Sequence, residues 1–149
     1  MREILFKAKR LDNGEWVEGN LILSNDAEED YKTIIIPNTD ADMFVDGCVY
    51  QDLGFEKWYI VDPSTICQYT GLTDKNGNKI WENDVIGYWD TYSTENGLAE
   101  ADCIGKVFWD DETLSFQVTE RLSAESYEVM DECSVIGNIF DNADLLKGE

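Results

Sequence analysis

QYTGLTDKNGNKIWENDVI, residues 68–86, decides how the whole chain is read. Asp74-Lys75-Asn76-Gly77-Asn78-Lys79 has the composition of a tight turn, because Asn and Gly adopt positive φ at low cost. Leu72 and Ile80 flank that turn and can pack across it, and Trp81 adds a large apolar surface. Asn83-Asp84 makes a second turn that leads into Val85, Ile86, Tyr88 and Trp89. Short apolar runs separated by turns describe β-strands, not an amphipathic helix. The stretch therefore reads as scaffold: its turns set strand register, and Leu72, Ile80, Trp81, Val85 and Ile86 feed a core.

Two chemical readings of the same residues are weaker. Asp74, Asn76 and Asn78 have the spacing of the first three ligands of an EF-hand loop. The loop needs Gly at its sixth position and Glu at its twelfth; here those are Lys79 and Val85. Glu82 and Asp84 could be drawn as an acid/base pair, but nearby acids are expected by chance in a chain with 32 of them.

Outward from this stretch the pattern stays that of strands. Ile4, Phe6 and Ala8 alternate with polar neighbours, Asp12-Asn13-Gly14 turns the chain, and EWVEGNLIL follows. A β-hairpin of residues 3–10 with 15–23 is expected. Asn25 to Asp30 reads as an acidic surface loop. Strands are expected at 31–36, 44–50, 57–61 and 65–69, with a break at Asp62-Pro63-Ser64. Further strands are expected at 85–89, 104–109 and 114–119, the last two joined through Asp110-Asp111-Glu112-Thr113. Residues 92–100 are polar and contain Gly, which predicts a mobile loop. Residues 122–130 fit a short helix, 134–140 a strand, and 142–146 a helical turn capped by Asp141 or Asn142. No internal repeat is visible. The expected fold is all-β, mainly strand with short helical turns. It divides into an N-terminal β-hairpin and sheet region, 1–62, and a small-barrel region, 63–149, or forms one continuous unit.

Composition narrows the function classes. The chain has 149 residues, is 43% hydrophobic, and carries a formal charge of −21 from 11 bases and 32 acids. Such a field repels nucleic acid and anionic membranes. The basic cluster Arg2, Lys7, Lys9 and Arg10 is too short to be a nucleic-acid arm, so neither direct nucleic-acid binding nor membrane attachment is expected. There is no histidine, which removes the usual general base near neutral pH and the usual transition-metal ligand. Ser-His-Asp and Cys-His nucleophile systems cannot be built from this chain alone. Cys48, Cys67, Cys103 and Cys133 are widely spaced without a CxxC pair, unlike a zinc site. They read as reduced, mostly buried thiols, which suits a cytoplasmic protein. No apolar run approaches the roughly 20 residues of a membrane span or the pattern of a signal peptide.

Residues 62–86, DPSTICQYTGLTDKNGNKIWENDVI, resemble the central signature of the YopX family of phage and prophage proteins. The opening MREILFKAKRLDNGEWVEGNLI and the closing SVIGNIFDNADLL are similar to the family's ends, in the same order. Trp81 stands where the family usually has Tyr or Phe, Asn83 where it often has Gly, and Ala143 where Pro is common. The resemblance implies an all-β protein with a small SH3-like barrel in its C-terminal half, and a homo-oligomer. It implies no known reaction.

No catalytic, cofactor-binding or metal-ligating residue stands out, and no cofactor is expected. A non-enzymatic module of a phage or prophage, self-assembling or bound to a host protein in the host cytoplasm, is the expectation. Tyr88, Trp89, Tyr92 and Trp109 are the candidate contact residues, each also readable as core or as a subunit contact. One alternative is an acidic decoy that occupies the DNA-binding site of a host protein, suggested by the −21 charge. Another is a divalent-metal enzyme built on Asp110-Asp111-Glu112, Glu82 with Asp84, or Asp131-Glu132. Adjacent strand residues point to opposite faces, so contiguous acids make poor ligand sets.

Overall fold

The computed structural model describes residues 2–24, 33–37, 43–45, 53–55 and 57–146. The chain divides into two units, residues 3–68 and residues 1–2 with 69–149. Strand β7, Cys67–Thr73, carries the chain from one unit to the other.

In the first unit, β1 (Phe6–Lys9) and β2 (Trp16–Leu23) form the expected hairpin, with Ala8 opposite Val17. Asn13 and Gly14 make its turn: Gly14 takes φ of 73° and donates its N–H to the Arg10 carbonyl. β3 (Thr33–Pro37) pairs with β2, and β6 (Tyr59–Ile60) pairs with β3, all antiparallel. The start of β7 lies on the other side of β1, Lys7 facing Cys67. Ala8, Ile35 and Val61 form the core, with Val17, Leu21 and Ile66 against it. β4 (Met43–Val45) and β5 (Leu53–Phe55) make a separate two-stranded ladder. The acidic loop expected at 25–30 and most of the strand expected at 44–50 lie outside the described residues. Cys48 lies outside them too.

Asp62 caps a short 3-10 turn, Pro63–Thr65, by accepting the Ser64 N–H. Proline fixes φ for such a turn and has no N–H to lose. The break read in the sequence is this turn.

In the second unit the rest of β7 pairs with β8 (Lys79–Trp81), Tyr69 opposite Trp81. The sequence reading assigned no strand to β8. A four-stranded antiparallel sheet follows in the order β11-β10-β9-β12. Its members are β9 (Asp84–Thr94), β10 (Gly97–Asp110), β11 (Ser115–Val118) and β12 (Ser134–Asn138). Between β11 and β12 the chain forms α1, Ser126–Glu132, and a 3-10 turn closes the described chain at Ala143–Leu146.

The mobile loop expected at 92–100 is instead the end of a long hairpin. β9 runs to Thr94 and β10 starts at Gly97, with Glu95 and Asn96 between them. Gly97 takes φ of 111°, a region open to glycine. Thr94 Oγ1 accepts the Asn96 N–H and donates to the Gly97 carbonyl. Polar residues conceal the strand here because this part of the hairpin has little core to cover.

Ile80, Ile86, Tyr88, Val107, Val118, Val129, Met130 and Cys133 form the core of this unit. Helix α1 supplies Val129 and Met130, so it covers the core from the segment between β11 and β12. No ladder joins β11 to β12 among the described residues. The SH3-like closure expected from the sequence is therefore not present as a hydrogen-bonded barrel. The fold stands as antiparallel β with a short helix.

Candidate functional site

Strand β9 separates its side chains by parity, as any strand does. Ile86, Tyr88 and Asp90 are buried, while Gly87, Trp89 and Thr91 point to the opposite face. Trp89 is 66% exposed. Its neighbours across the ladders share that outer face: Asp102 lies opposite Trp89, and both Ile104 and Ser134 lie opposite Gly87. A bulge between Val135 and Gly137 displaces β12 and brings an Ile136 methyl to 3.8 Å from the place a Gly87 Cβ would take. Ile104 and Ile136 are 43% and 42% exposed. Trp89, Ile104 and Ile136 thus form an apolar patch over three strands.

A notch of about 170 Å³ opens beside Trp89, lined by Lys75, Gly87, Tyr88, Asp102, Glu132 and Ser134. The turn at residues 74–78 places its basic wall. Asp74 Oδ1 accepts the N–H groups of Asn76 and Asn78 at 2.9 and 2.8 Å. Its Oδ2 accepts the Val135 N–H of β12 at 2.9 Å. Lys75 donates its N–H to the Cys133 carbonyl. The DKNGN turn is therefore tied to the start of β12, and Lys75 stands next to Glu132 and Ser134. Burial pushes the Asp74 carboxyl up, but the N–H groups of Val135, Asn78 and Asn76 push it down further and leave it below the usual range. Both oxygens of Asp74, the first of the calcium-spaced residues, are engaged with backbone N–H groups.

Asp90 is the second buried carboxylate of the sheet, 3% exposed. It accepts N–H groups from Thr91 at 2.7 Å, Leu122 at 2.6 Å, Ser123 at 3.2 Å and Ala124 at 3.0 Å. Burial raises its pKa, and these N–H groups outweigh that and bring it down to about 2. Its role is to hold the 121–124 segment against β9.

The four candidate contact residues are not brought together. Tyr88 is 3% exposed and donates its hydroxyl to the Thr119 carbonyl, so it belongs to the core and is corrected out of the contact set. Trp89 lies on the outer patch. Tyr92 is 45% exposed but has the opposite parity, nearer the hairpin end. Trp109 is 41% exposed; it packs edge-on against Phe116 with ring centroids 5.2 Å apart and donates Nε1–H to Asp111. Ile104, Ile136, Gly87 and Lys75 escaped the sequence reading. The signal available was the opposite parity to Cys103 and Val107 on β10, which leaves Ile104 facing outward.

Asp110 and Asp84, from two of the acidic clusters, serve turns. Asp110 accepts the Glu112 N–H and the Thr113 hydroxyl, and Asp84 accepts the Trp81 N–H at 2.8 Å. Among the described residues no three Cys, Asp or Glu groups converge as a metal site requires. Cys103 and Cys133 are free thiols, and the buried Cys67 donates its Sγ–H to the Thr65 carbonyl. Burial, helped by nearby carboxylates, raises the Cys103 thiol and pushes Cys133 up to about 11. No helix among the described residues is long and apolar enough to cross a membrane.

Comparison with curated proteins gives no match. Among solved structures the chain is similar to protein EF1440 from Enterococcus faecalis. The likeness has a TM-score of 0.61 at 23% identity, over 98% of this chain and 99% of that one, and it establishes a shared fold. The family model described as YopX protein matches residues 5–147, nearly the whole chain, and the chain belongs to the YopX family.

Proposed function

We propose that this protein is a non-enzymatic interaction module of phage or prophage origin, active in the host cytoplasm, and that the outer face of β9, β10 and β12 is its contact surface. The observation that carries this reading is Trp89, 66% exposed beside half-exposed Ile104 and Ile136. A contiguous apolar patch of this kind on a chain otherwise rich in charge marks an interaction surface more often than chance exposure. The non-enzymatic part is supported by the work its acids do: Asp74, Asp84, Asp90 and Asp110 hold backbone groups. We also read residues 69–149 as a variant of the SH3-like small barrel. The antiparallel order of β9 to β12 and the β7–β8 hairpin support that assignment.

Trp89→Ala tests the reading. As a surface change it should alter stability by no more than about 0.5 kcal/mol, a melting shift of at most about 3 °C. Association with any partner should fall at least about tenfold, the loss of one aromatic anchor. A melting temperature lowered by about 10 °C or more would place Trp89 in the structural core. Unchanged association, read by the bands a tagged wild type and variant capture from host lysate, would remove the outer face as the contact surface.

A further inference from the structure

We propose that the groove between the outer face of α1 and the bulge of β7 docks an arginine-bearing segment of a partner protein. The guanidinium sits at Asp131 and Glu132, and an adjacent apolar residue covers Leu72. This adds a second contact surface to the module and does not depend on Trp89.

The groove has a volume of about 530 Å³ and is lined by Leu72, Thr73, Tyr127, Glu128, Asp131 and Glu132. Both walls follow from local structure. α1 buries Ser126, Val129 and Met130, so residues 127, 128, 131 and 132, three and four apart, share its outer face. Tyr127 is 67% exposed there. On the facing wall the pairing of β7 with β8 shifts between Tyr69 and Thr73, and Gly71 takes φ of 91°. A bulge of this kind re-aims side chains, and Leu72 is left 41% exposed in the lining.

Charge selects the occupant. The lining holds three acids and no base. Lys79, opposite Thr73, lies over the Tyr69 ring at 5.7 Å. Lys75 lines the notch, with which the groove shares only Glu132. Glu128 is partly used by the helix itself, accepting the Glu125 N–H at 2.9 Å. Among the described residues the carboxylates of Asp131 and Glu132 have no hydrogen-bond or ion-pair partner. They stand in the last turn of α1, which contains no base, and the helix dipole disfavours negative charge there. Glu128 and Glu132, four apart, repel each other as well. The fold thus holds uncompensated negative charge that a bound cation would relieve.

The two walls together name the cation. A guanidinium forks to carboxylate oxygens and stacks on an aromatic ring, and Tyr127 offers the ring beside Asp131 and Glu132. A divalent ion needs three converging ligands, which the described residues do not form. A linear polyamine carries no bulky apolar group to cover Leu72. A peptide segment supplies the arginine and a neighbouring aliphatic side chain at once.

Fluorescence anisotropy with a short labelled peptide of alternating Arg and Leu tests this on the full chain, at about 0.15 M salt to screen distant charges. An Arg-Gly peptide of the same length should bind at least about tenfold more weakly, for want of the apolar contact. Asp131→Asn with Glu132→Gln should weaken binding of the Arg-Leu peptide at least about tenfold. The same pair should leave the melting temperature unchanged or raised, because it removes charge that the helix dipole disfavours. Tyr127→Ala should also weaken binding. Glu95→Gln with Glu112→Gln removes the same charge from two distant turns and should change binding by no more than about twofold. Equal losses in the two pairs would mean that the peptide reads net charge alone, and would overturn the groove. So would displacement by spermine as effective as by unlabelled peptide, or a wild type that fails to bind at high micromolar concentration. A melting temperature lowered by about 5 °C or more in the Asp131 and Glu132 pair would make these acids structural and overturn their role. Trp89→Ala should leave peptide binding intact, even where lysate capture shows the outer-face reading to fail. Loss of peptide binding in Trp89→Ala would assign the peptide to the outer face and overturn the groove.

Discussion

Asp90 shows what a single acid does in a chain that has 32 of them. Its carboxylate lies 3% exposed and gathers four backbone N–H groups. Asn in its place would offer one oxygen and set an NH₂ group against those donors, so Asp90→Asn should cost about 2 to 4 kcal/mol near neutral pH. The pH dependence has a definite sign. The folded pKa, about 2, lies below the ordinary value of 3.8, so the folded state favours the ionised form. That stabilisation is complete above pH 4 and disappears as pH falls towards 2. Urea unfolding should therefore show the gap between wild type and Asp90→Asn shrinking over that window, and a gap independent of pH would refute the assignment. Nothing in the sequence distinguishes Asp90 from the many solvated acids, because three of its four backbone donors, Leu122, Ser123 and Ala124, lie more than thirty residues away. Asp74 was half legible: its turn followed from Asn and Gly, but its bond to Val135 did not. Tyr88 and Trp89 failed for a related reason. Both parities of β9 carry large apolar residues, so alternation alone could not say which one faces the core.

At the scale of elements, hydrophobic alternation was reliable wherever one face is covered. The β1–β2 hairpin, the strands around Val107 and Val118, and the short helix after residue 122 were all readable. The outer part of the β9–β10 hairpin was not, since Thr91 to Glu100 is partly to fully exposed and its pattern is polar. What builds a strand there is the turn: two residues, then Gly97 at φ of 111°. A β-branched residue at that conformation is strained by about 1 to 3 kcal/mol. Gly97→Val should therefore destabilise the protein by that amount, and amide exchange should quicken first in residues 92–100, ahead of the Ile86–Gly105 region. If the segment were a loop, its amides would exchange within seconds in the wild type and the substitution would change little. β8 was missed because three residues between two turns carry too short a pattern; the Tyr69–Trp81 contact, with ring centroids 5.6 Å apart, fixes it through packing.

Over the whole molecule, the class and the family signature were legible in the sequence, but the closure of the sheet was not. Barrel closure depends on which edges pair over long separations, and α1 occupies the segment between β11 and β12. Charge is the other global property, and its consequence is testable. At pH 7 copies repel through a formal −21, whereas at the calculated pI of 4.1 that repulsion vanishes. Attraction between the exposed patches then acts unopposed, and scattering should rise steadily from pH 6 to 4.5. Asp74 and Asp90 both titrate below the usual carboxylate range, Asp90 at about 2, so the fold should persist through this interval. Near-UV circular dichroism should accordingly stay unchanged while scattering rises, and raising the pH again should reverse the association. Constant scattering down to pH 4.5 would mean that charge repulsion is not what keeps the copies apart. Scattering that rises together with loss of near-UV signal would trace the association to unfolding instead of to the native outer face.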